Sequence, residues 1–355
     1  MKMQNKLFFG KMKAIFAAVL AVLCAAAFAS CSANGSGDKE ATDNANPSTE
    51  TKLSIVCTAF PQYDWVRVIA GERADKFDIK LLSGKGTDMH SYQPTAEDMK
   101  NIAASAMFVY VGGVSEKWVE DVKKSAGADK TVFLNLTESL GDTHLEEETA
   151  LEPEDDHDHG DDSGYDDEDG HDHDHGEVEY DEHIWLSVKN AQRLVAAVAA
   201  ELAKLDADGK DVYENNLKEY LLKLSALDAE YKKAAENGKR DTVIFADRFP
   251  FLYLMKDYGI KYHAAFAGCS AESEASFKTI KALGEAADEI KTDTVLVTET
   301  SDGAVADAVI SGMTVKGCTK AVMNSMQSVK TAEAEKESYL GIMQANLETL
   351  KKALG

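Results

Sequence analysis

From Leu53 onward the chain alternates short, continuous apolar runs with longer stretches in which apolar positions recur every three or four residues. "LSIVCTA", "DIKLLSG", "MFVYVGG" and "TVFLNL" are of the first kind; "YDWVRVIAG", "TAEDMKNIAASA" and "EKWVEDVKKSA" are of the second. Thr95 opens one of these helices as N-cap, with Asp98 three residues on, a variant capping box. Apolar strands without polar alternation, separated by helices, predict a parallel sheet covered on both faces. The same order returns after Lys239. "TVIFAD", "KYHAAFAG", "TVLVTET" and "AVMNS" are the strands; "PFLYLMKDYG", "EASFKTIKALGEAADEI" and "GAVADAVISG" are the helices. The chain closes on "SYLGIMQANLETLKKAL", where Tyr339, Ile342, Met343, Leu347 and Leu350 share one face. The expected fold is α/β with two lobes, each a parallel sheet flanked by helices.

Two long helical patterns lie between the halves. Val188, Ala191, Leu194, Val195, Val198, Leu202 and Leu205 mark the first, and Tyr213, Leu217, Tyr220, Leu221, Leu224, Leu227 and Tyr231 the second. The second runs from about Lys210 to Glu236 with no Pro or Gly before Gly238. At 1.5 Å per residue it reaches roughly 40 Å, enough to touch both lobes as a stiff connector. The expected boundaries are 53–208 for the N-terminal lobe, 209–238 for the connecting helix and 239–355 for the C-terminal lobe.

Composition alters this picture mainly at the N-terminus and in one internal segment. Lys2, Lys6, Lys11 and Lys13 precede the apolar "AIFAAVLAVLCAAAFAS", which ends at "FASC". Small residues before a cysteine predict a lipoprotein signal over 1–30, lipidation at Cys31 and a polar tether over 31–52. The net charge of −24 is concentrated in the stretch from Glu146 to Glu182, which holds 20 acids and no Lys or Arg. Outside it 42 acids face 38 bases, so the folded body is near neutral and has no basic stripe for nucleic acid. Such a segment cannot bury a core; the expectation is a disordered acidic loop over 145–182. Its His157, His159, His171, His173 and His175 alternate with Asp and offer many weak metal ligands on a tether. Of the remaining cysteines, Cys57 sits in an apolar strand as a small buried residue, and Cys269 and Cys318 lie in one half, where export would permit a disulfide. Three free buried thiols are the alternative.

Ligands of open parallel sheets bind beyond the carboxyl ends of the strands. His90 in "GTDMHSYQP" follows the second strand, and His183 in "DEHIWLS" precedes a helix anchored by Trp185 and Leu186. In the second half Asp247 ends "TVIFAD", Glu299 closes "VTET" and Asn324 follows the last strand. Facing lobes would bring these groups together in the cleft, where imidazole and oxygen ligands suit Zn²⁺ or a related first-row ion. Asp247 could instead cap the following helix or pair with Arg248, and Asn324 could serve a turn.

On these segments the chain resembles the metal-binding lipoproteins of zinc and manganese ABC importers, over nearly all of Leu53 to Gly355. "VCTAFPQYDWVRVIAG" resembles the family's first strand and helix, and "GTDMHSYQPTAEDMKNIAASAMFVYVGG" its first-ligand segment. "DEHIWLSVKNAQRLVAAVAAEL" is similar to its second-ligand segment, preceded in zinc-type members by a His-rich acidic loop, and "SYLGIMQANLETLKKALG" to its last helix. The resemblance makes His90 and His183 the first lobe's ligands. It puts the third ligand at Ala246, which can coordinate nothing, and the fourth at Asn324. Asp247, His263, Glu272 or Glu274 could substitute.

The resemblance implies an exported lipoprotein, monomeric and without enzymatic activity. It would capture Zn²⁺ as cargo and deliver it to an ABC permease and its ATPase. Mn²⁺ is the alternative cargo, and the His-rich loop favours zinc because Mn²⁺ suits oxygen-dominated sites. A secreted zinc buffer is a further alternative. A zinc hydrolase would need an open metal position with a nearby base, and no HExxH pair is present.

Overall fold

The computed structural model describes residues 51–143, 145, 147, 180–269 and 274–355. The signal, the lipidation position, the tether and the five loop histidines lie outside them.

The first sheet contains β1 (Leu53–Cys57), β2 (Phe77–Leu81), β3 (Met107–Tyr110) and β4 (Val132–Asn135), all parallel, in the order β2-β1-β3-β4. Its helices are α1 (Phe60–Ala70), α2 (Ala96–Ala103), α3 (Val119–Lys123) and α4 (Leu136–Leu140). At the start of α2 the Thr95 side chain accepts from Asp98 N, and Asp98 reaches back to Thr95 N, closing the expected box. Helices α5 (Val188–Leu205) and α6 (Lys210–Asn237) follow, and α6 is the long connector of 28 residues. The second sheet repeats the first: β5 (Thr242–Phe249), β6 (Lys261–Ala267), β7 (Thr294–Thr298) and β8 (Thr319–Met323) in the order β6-β5-β7-β8, again parallel. Helices α7 (Leu252–Tyr258), α8 (Phe277–Glu289), α9 (Ala304–Gly312), α10 (Thr331–Ala334) and α11 (Tyr339–Leu354) complete it. Among the described residues no helix is long and apolar enough to cross a membrane.

The pleat explains how the lobes are joined. Ile55 and Cys57 of β1, with Phe245 of β5 and Leu296 of β7, belong to one core that runs through α1, α5, α6 and α11. Their strand neighbours point the other way. Val56 packs with Phe108 and Val122, while Ile244, Ala246, Val295 and Val297 pack with Leu283 and Val309. Each sheet therefore has a small outer core of its own, and the inner faces share one. Separating the lobes would expose that shared core to water, at roughly 1.5–3 kcal/mol for each large apolar side chain uncovered. Polar ties cross the same boundary. Trp185 Nε1 donates to Ser325 O at 2.9 Å, Tyr339 OH to Trp185 O at 2.7 Å, and Arg67 Nη1 to Ala334 O at 2.8 Å. The lobes are thus held together well beyond α6 itself.

Candidate metal centre

His90 sits on a single 3-10 turn, Met89–Ser91, after β2, and the Asp88 carboxylate accepts from its N–H at 3.0 Å. Its ring Nδ1 lies 2.8 Å from Ser115 Oγ and 3.4 Å from Glu182 Oε2. Glu182 can approach because Gly113, at φ +109°, has no side chain; a Cβ there would come within 2.5 Å of Glu182 Oε1. His183 is fully buried at the turn leading into α5, where Trp185 and Leu186 are also buried. Asp181 Oδ1 accepts from the His183 backbone N at 2.8 Å and meets its ring Nδ1 at 3.0 Å.

Both rings are thus held through Nδ1 by oxygen partners, which sets the tautomer and turns both Nε2 lone pairs inward. The two Nε2 atoms stand 3.0 Å apart. Gln327 Nε2, from the second lobe, donates to His183 Nε2 at 2.8 Å, consistent with an acceptor at that nitrogen. Two converging lone pairs repel unless a proton or a cation lies between them, and metal-bound imidazoles adopt this arrangement. Burial disfavours a charged His183 ring, but the charge and hydrogen bond of Asp181, with the charges of Glu182 and Asp88, outweigh it and raise its pKa. Burial works against ionisation of Glu182 as well, and the hydrogen bonds from His90 and Ser115 reverse that, holding its carboxyl below the usual value. The pocket is anionic and the imidazoles are backed by carboxylates, so the arrangement favours a small dication.

Among the described His, Cys, Asp and Glu side chains of the second lobe, Cys269 is the one that joins the two imidazoles: the ligand atoms of His90, His183 and Cys269 lie within 4.8 Å of one another. Burial first, then the charges of Asp181, Glu147 and Glu182, push its thiol pKa upward. His90 and Cys269 also line a cavity of about 250 Å³ with Ser115, Glu147, Tyr180 and Glu182.

The other second-lobe candidates among the described residues stand outside this cluster. Between Phe245 and Arg248 the β5–β6 register slips, so Ala246 and Asp247 form a bulge. Ala246 points into the outer core. Asp247 turns sideways along the sheet. Its Oδ2 accepts from Thr298 N at 2.9 Å and Thr298 Oγ at 2.7 Å, and its Oδ1 from Arg248 N at 2.8 Å. It neither caps α7 nor pairs with the Arg248 guanidinium, which reaches Asp88 at 3.1 Å across the lobes. Asn324 Oδ1 accepts from Met326 N at 2.8 Å, which is the turn role. Glu299 holds Ser325 through both oxygens, at 2.7 and 2.8 Å. His263 lies within β6, opposite Ile244, Glu274 is exposed, and Glu272 is outside the described residues.

The expected Cys269–Cys318 disulfide is corrected: both are free thiols. Cys269 follows the C-terminal end of β6 and Cys318 precedes the N-terminal end of β8. These strands are the two edges of a parallel sheet, so the cysteines occupy opposite corners, beyond the Cα separation of about 7 Å that a disulfide can bridge. Cys57 is a buried thiol, as expected. Sequence reasoning missed Cys269 and Gln327 as cleft residues. The strand-end rule that selected His90 would also have selected Cys269, two residues past Ala267, had it not been assigned to a disulfide.

The family described as zinc-uptake complex component A, periplasmic, matches residues 55–353. The chain belongs to this family. It is 32% identical over 347 residues to the high-affinity zinc uptake system protein ZnuA of Bacillus subtilis, covering 98% of each chain. It is 31% identical over 343 residues to the zinc-binding lipoprotein AdcA of Streptococcus pneumoniae, covering 94% of this chain and 60% of that one. Among solved structures, the metal-dependent lipoprotein YcdH of Bacillus subtilis aligns with TM-score 0.66 at 30% identity, over 85% of this chain and 99% of that one. The Zn(II)-bound ZnuA-like domain of Streptococcus pneumoniae AdcA aligns with TM-score 0.63 at 26% identity, with the same coverage. Membership makes the chain an extracytoplasmic component of metal uptake, a binding protein by family, and the paired sheets are the family's architecture.

Proposed function

We propose that this protein captures Zn²⁺ outside the cytoplasmic membrane and delivers it to an ABC permease and its ATPase, working by coordination without catalysis. The observation that carries the reading is the pair of Nε2 atoms 3.0 Å apart, each ring backed by an acid at its other nitrogen. Two nitrogens bound to one tetrahedral zinc at 2.0–2.1 Å would stand about 3.3 Å apart, a small adjustment from this spacing. His90 and His183 come from the first lobe, and the second lobe closes the shell. The zinc-binding relatives and the Zn(II)-bound neighbour support zinc as the cargo. The N-terminal pattern supports a signal over 1–30 and a lipid anchor at Cys31, which would keep the carrier beside its permease.

The His-rich stretch fits the same reading. Glu147 and Tyr180, which flank residues 148–179, both line the cavity that leads to His90 and Cys269. Its five histidines would therefore raise the local zinc concentration at the mouth of the site.

Calorimetric zinc titration of a protein lacking 148–179 tests the assignment. One tight equivalent should remain, while several weak ones present in the full chain disappear. Loss of the tight equivalent on removing the loop, or its persistence in both His90→Ala and His183→Ala, would refute the site.

A further inference from the structure

We propose that Cys269 is the zinc ligand of the second lobe: its thiolate completes a His90–His183–Cys269 site and makes the cleft selective for zinc over manganese. The inference rests on the zinc reading above and names the group that reading leaves open.

Four observations carry it. The sulfur and one ring nitrogen of each histidine lie within 4.8 Å of one another, and a tetrahedral zinc would hold nitrogen and sulfur about 3.6 Å apart. The oxygens of Asp247, Glu299 and Asn324 already accept hydrogen bonds within the second lobe. The chain before Cys269 is shaped to reach His183. A Cβ on Gly268 would meet Phe249 O at 2.8 Å and His183 Cε1 and Nδ1 at 3.1 and 3.2 Å, so a glycine is needed for the loop to descend onto the ring. Finally, the loop is pinned there, because Cys269 N donates to Glu147 Oε1 at 2.8 Å.

The chemistry follows from ligand type. On binding, the S–H bond breaks, a Zn–S bond forms, and the proton leaves to water through the cavity; no electrons are transferred. The new dication offsets the surrounding charges of Asp181, Glu182 and Glu147. Two imidazoles and a thiolate suit Zn²⁺ and disfavour Mn²⁺, which prefers oxygen. Gln327 Nε2, at 2.8 Å from His183 Nε2, takes the ring nitrogen that the metal would need and has to move or rotate as the metal enters.

The test uses the full-length protein with Co²⁺ and Zn²⁺ as probes. One equivalent of Co²⁺ should give a thiolate-to-cobalt charge-transfer band in the near ultraviolet. Cys269→Ser should abolish that band, and Cys318→Ser should leave it unchanged. In competition with a chromophoric chelator, Cys269→Ser should weaken zinc about 100-fold and manganese less than about threefold, a loss of selectivity of at least about 30-fold, or roughly 2 kcal/mol. Unchanged melting would show that the variant is folded, and Cys269→Ala provides a second truncation. Tight zinc in the wild type with an undiminished band or affinity in both Cys269 variants overturns the inference and leaves the zinc reading standing. Absence of a tight zinc equivalent in the wild type overturns the zinc reading and the inference with it.

Discussion

The two lobes share a strand order and a parallel direction, yet they use their strand ends differently. In the first lobe the strand-end and turn residues hold imidazoles at Nδ1 and leave Nε2 inward: Asp181 for His183, Ser115 and Glu182 for His90. In the second lobe the equivalent polar residues bond to one another. Asp247 of β5 takes both donors of Thr298 at the end of β7, and Glu299 takes both donors of Ser325 after β8. These carboxylates lace adjacent strands together. Position at the carboxyl end of a strand therefore makes a side chain a candidate ligand, and the hydrogen bonds it already accepts decide whether it can serve.

The sharpest way to break this contrast is to remove a first-lobe ring. On the proposed reading His183→Ala deletes one of the two imidazole ligands, and it takes from the buried Asp181 its ring partner. The expected loss is about 1,000-fold or more in zinc affinity, measured by chelator competition. A loss of less than tenfold would mean that the first lobe does not dominate.

Gly268→Ala tests the second lobe's loop from the backbone side. The added methyl must displace either Phe249 O or the His183 ring, so zinc should weaken by roughly tenfold with little change in global stability. An unchanged affinity would separate the loop from the site.

Asp247→Asn asks whether that carboxylate ties strands or binds metal. The amide oxygen can keep both Thr298 bonds, but the NH2 then faces the Arg248 N–H that Oδ1 accepted, so denaturant unfolding should show a loss of about 1–3 kcal/mol. Zinc affinity should shift by less than about threefold. The opposite pattern, an intact fold with zinc lost, would place Asp247 in the coordination shell.

The smallest effect concerns Glu116, which is buried near the first-lobe site and accepts from Gly112 N at 2.7 Å. Burial raises its pKa to about 7, above the value of 4.5 taken for the unfolded chain. Between these values the folded state binds the proton and the unfolded state has lost it, so this group's contribution to stability falls as pH rises. Glu116→Gln removes the titration. It should stabilise the protein by about 1–2 kcal/mol at pH 8, and the difference should vanish near pH 4. Denaturant midpoints across that range would detect it, and a pH-independent difference would refute the assignment.

Much of this molecule was legible from local pattern. The continuous apolar strands, the Thr95–Asp98 box, and a long helix uninterrupted until Gly238 depend on residues close in sequence, and the two sheets and α6 appear where those patterns place them. His90 and His183 were also legible, because the groups that frame them lie beside them in the chain, Asp88 for one and Asp181 and Trp185 for the other. The second lobe was not legible in this way. The Thr298 that engages Asp247 lies on another strand, and the β5 bulge that turns Asp247 toward it exists only once β6 is paired. Cys269 likewise meets His183 only after the lobes share a core and Gly268 lets the loop come down. Local sequence determined which groups could bind a metal; the pairing of distant strands decided which of them were left free to do so.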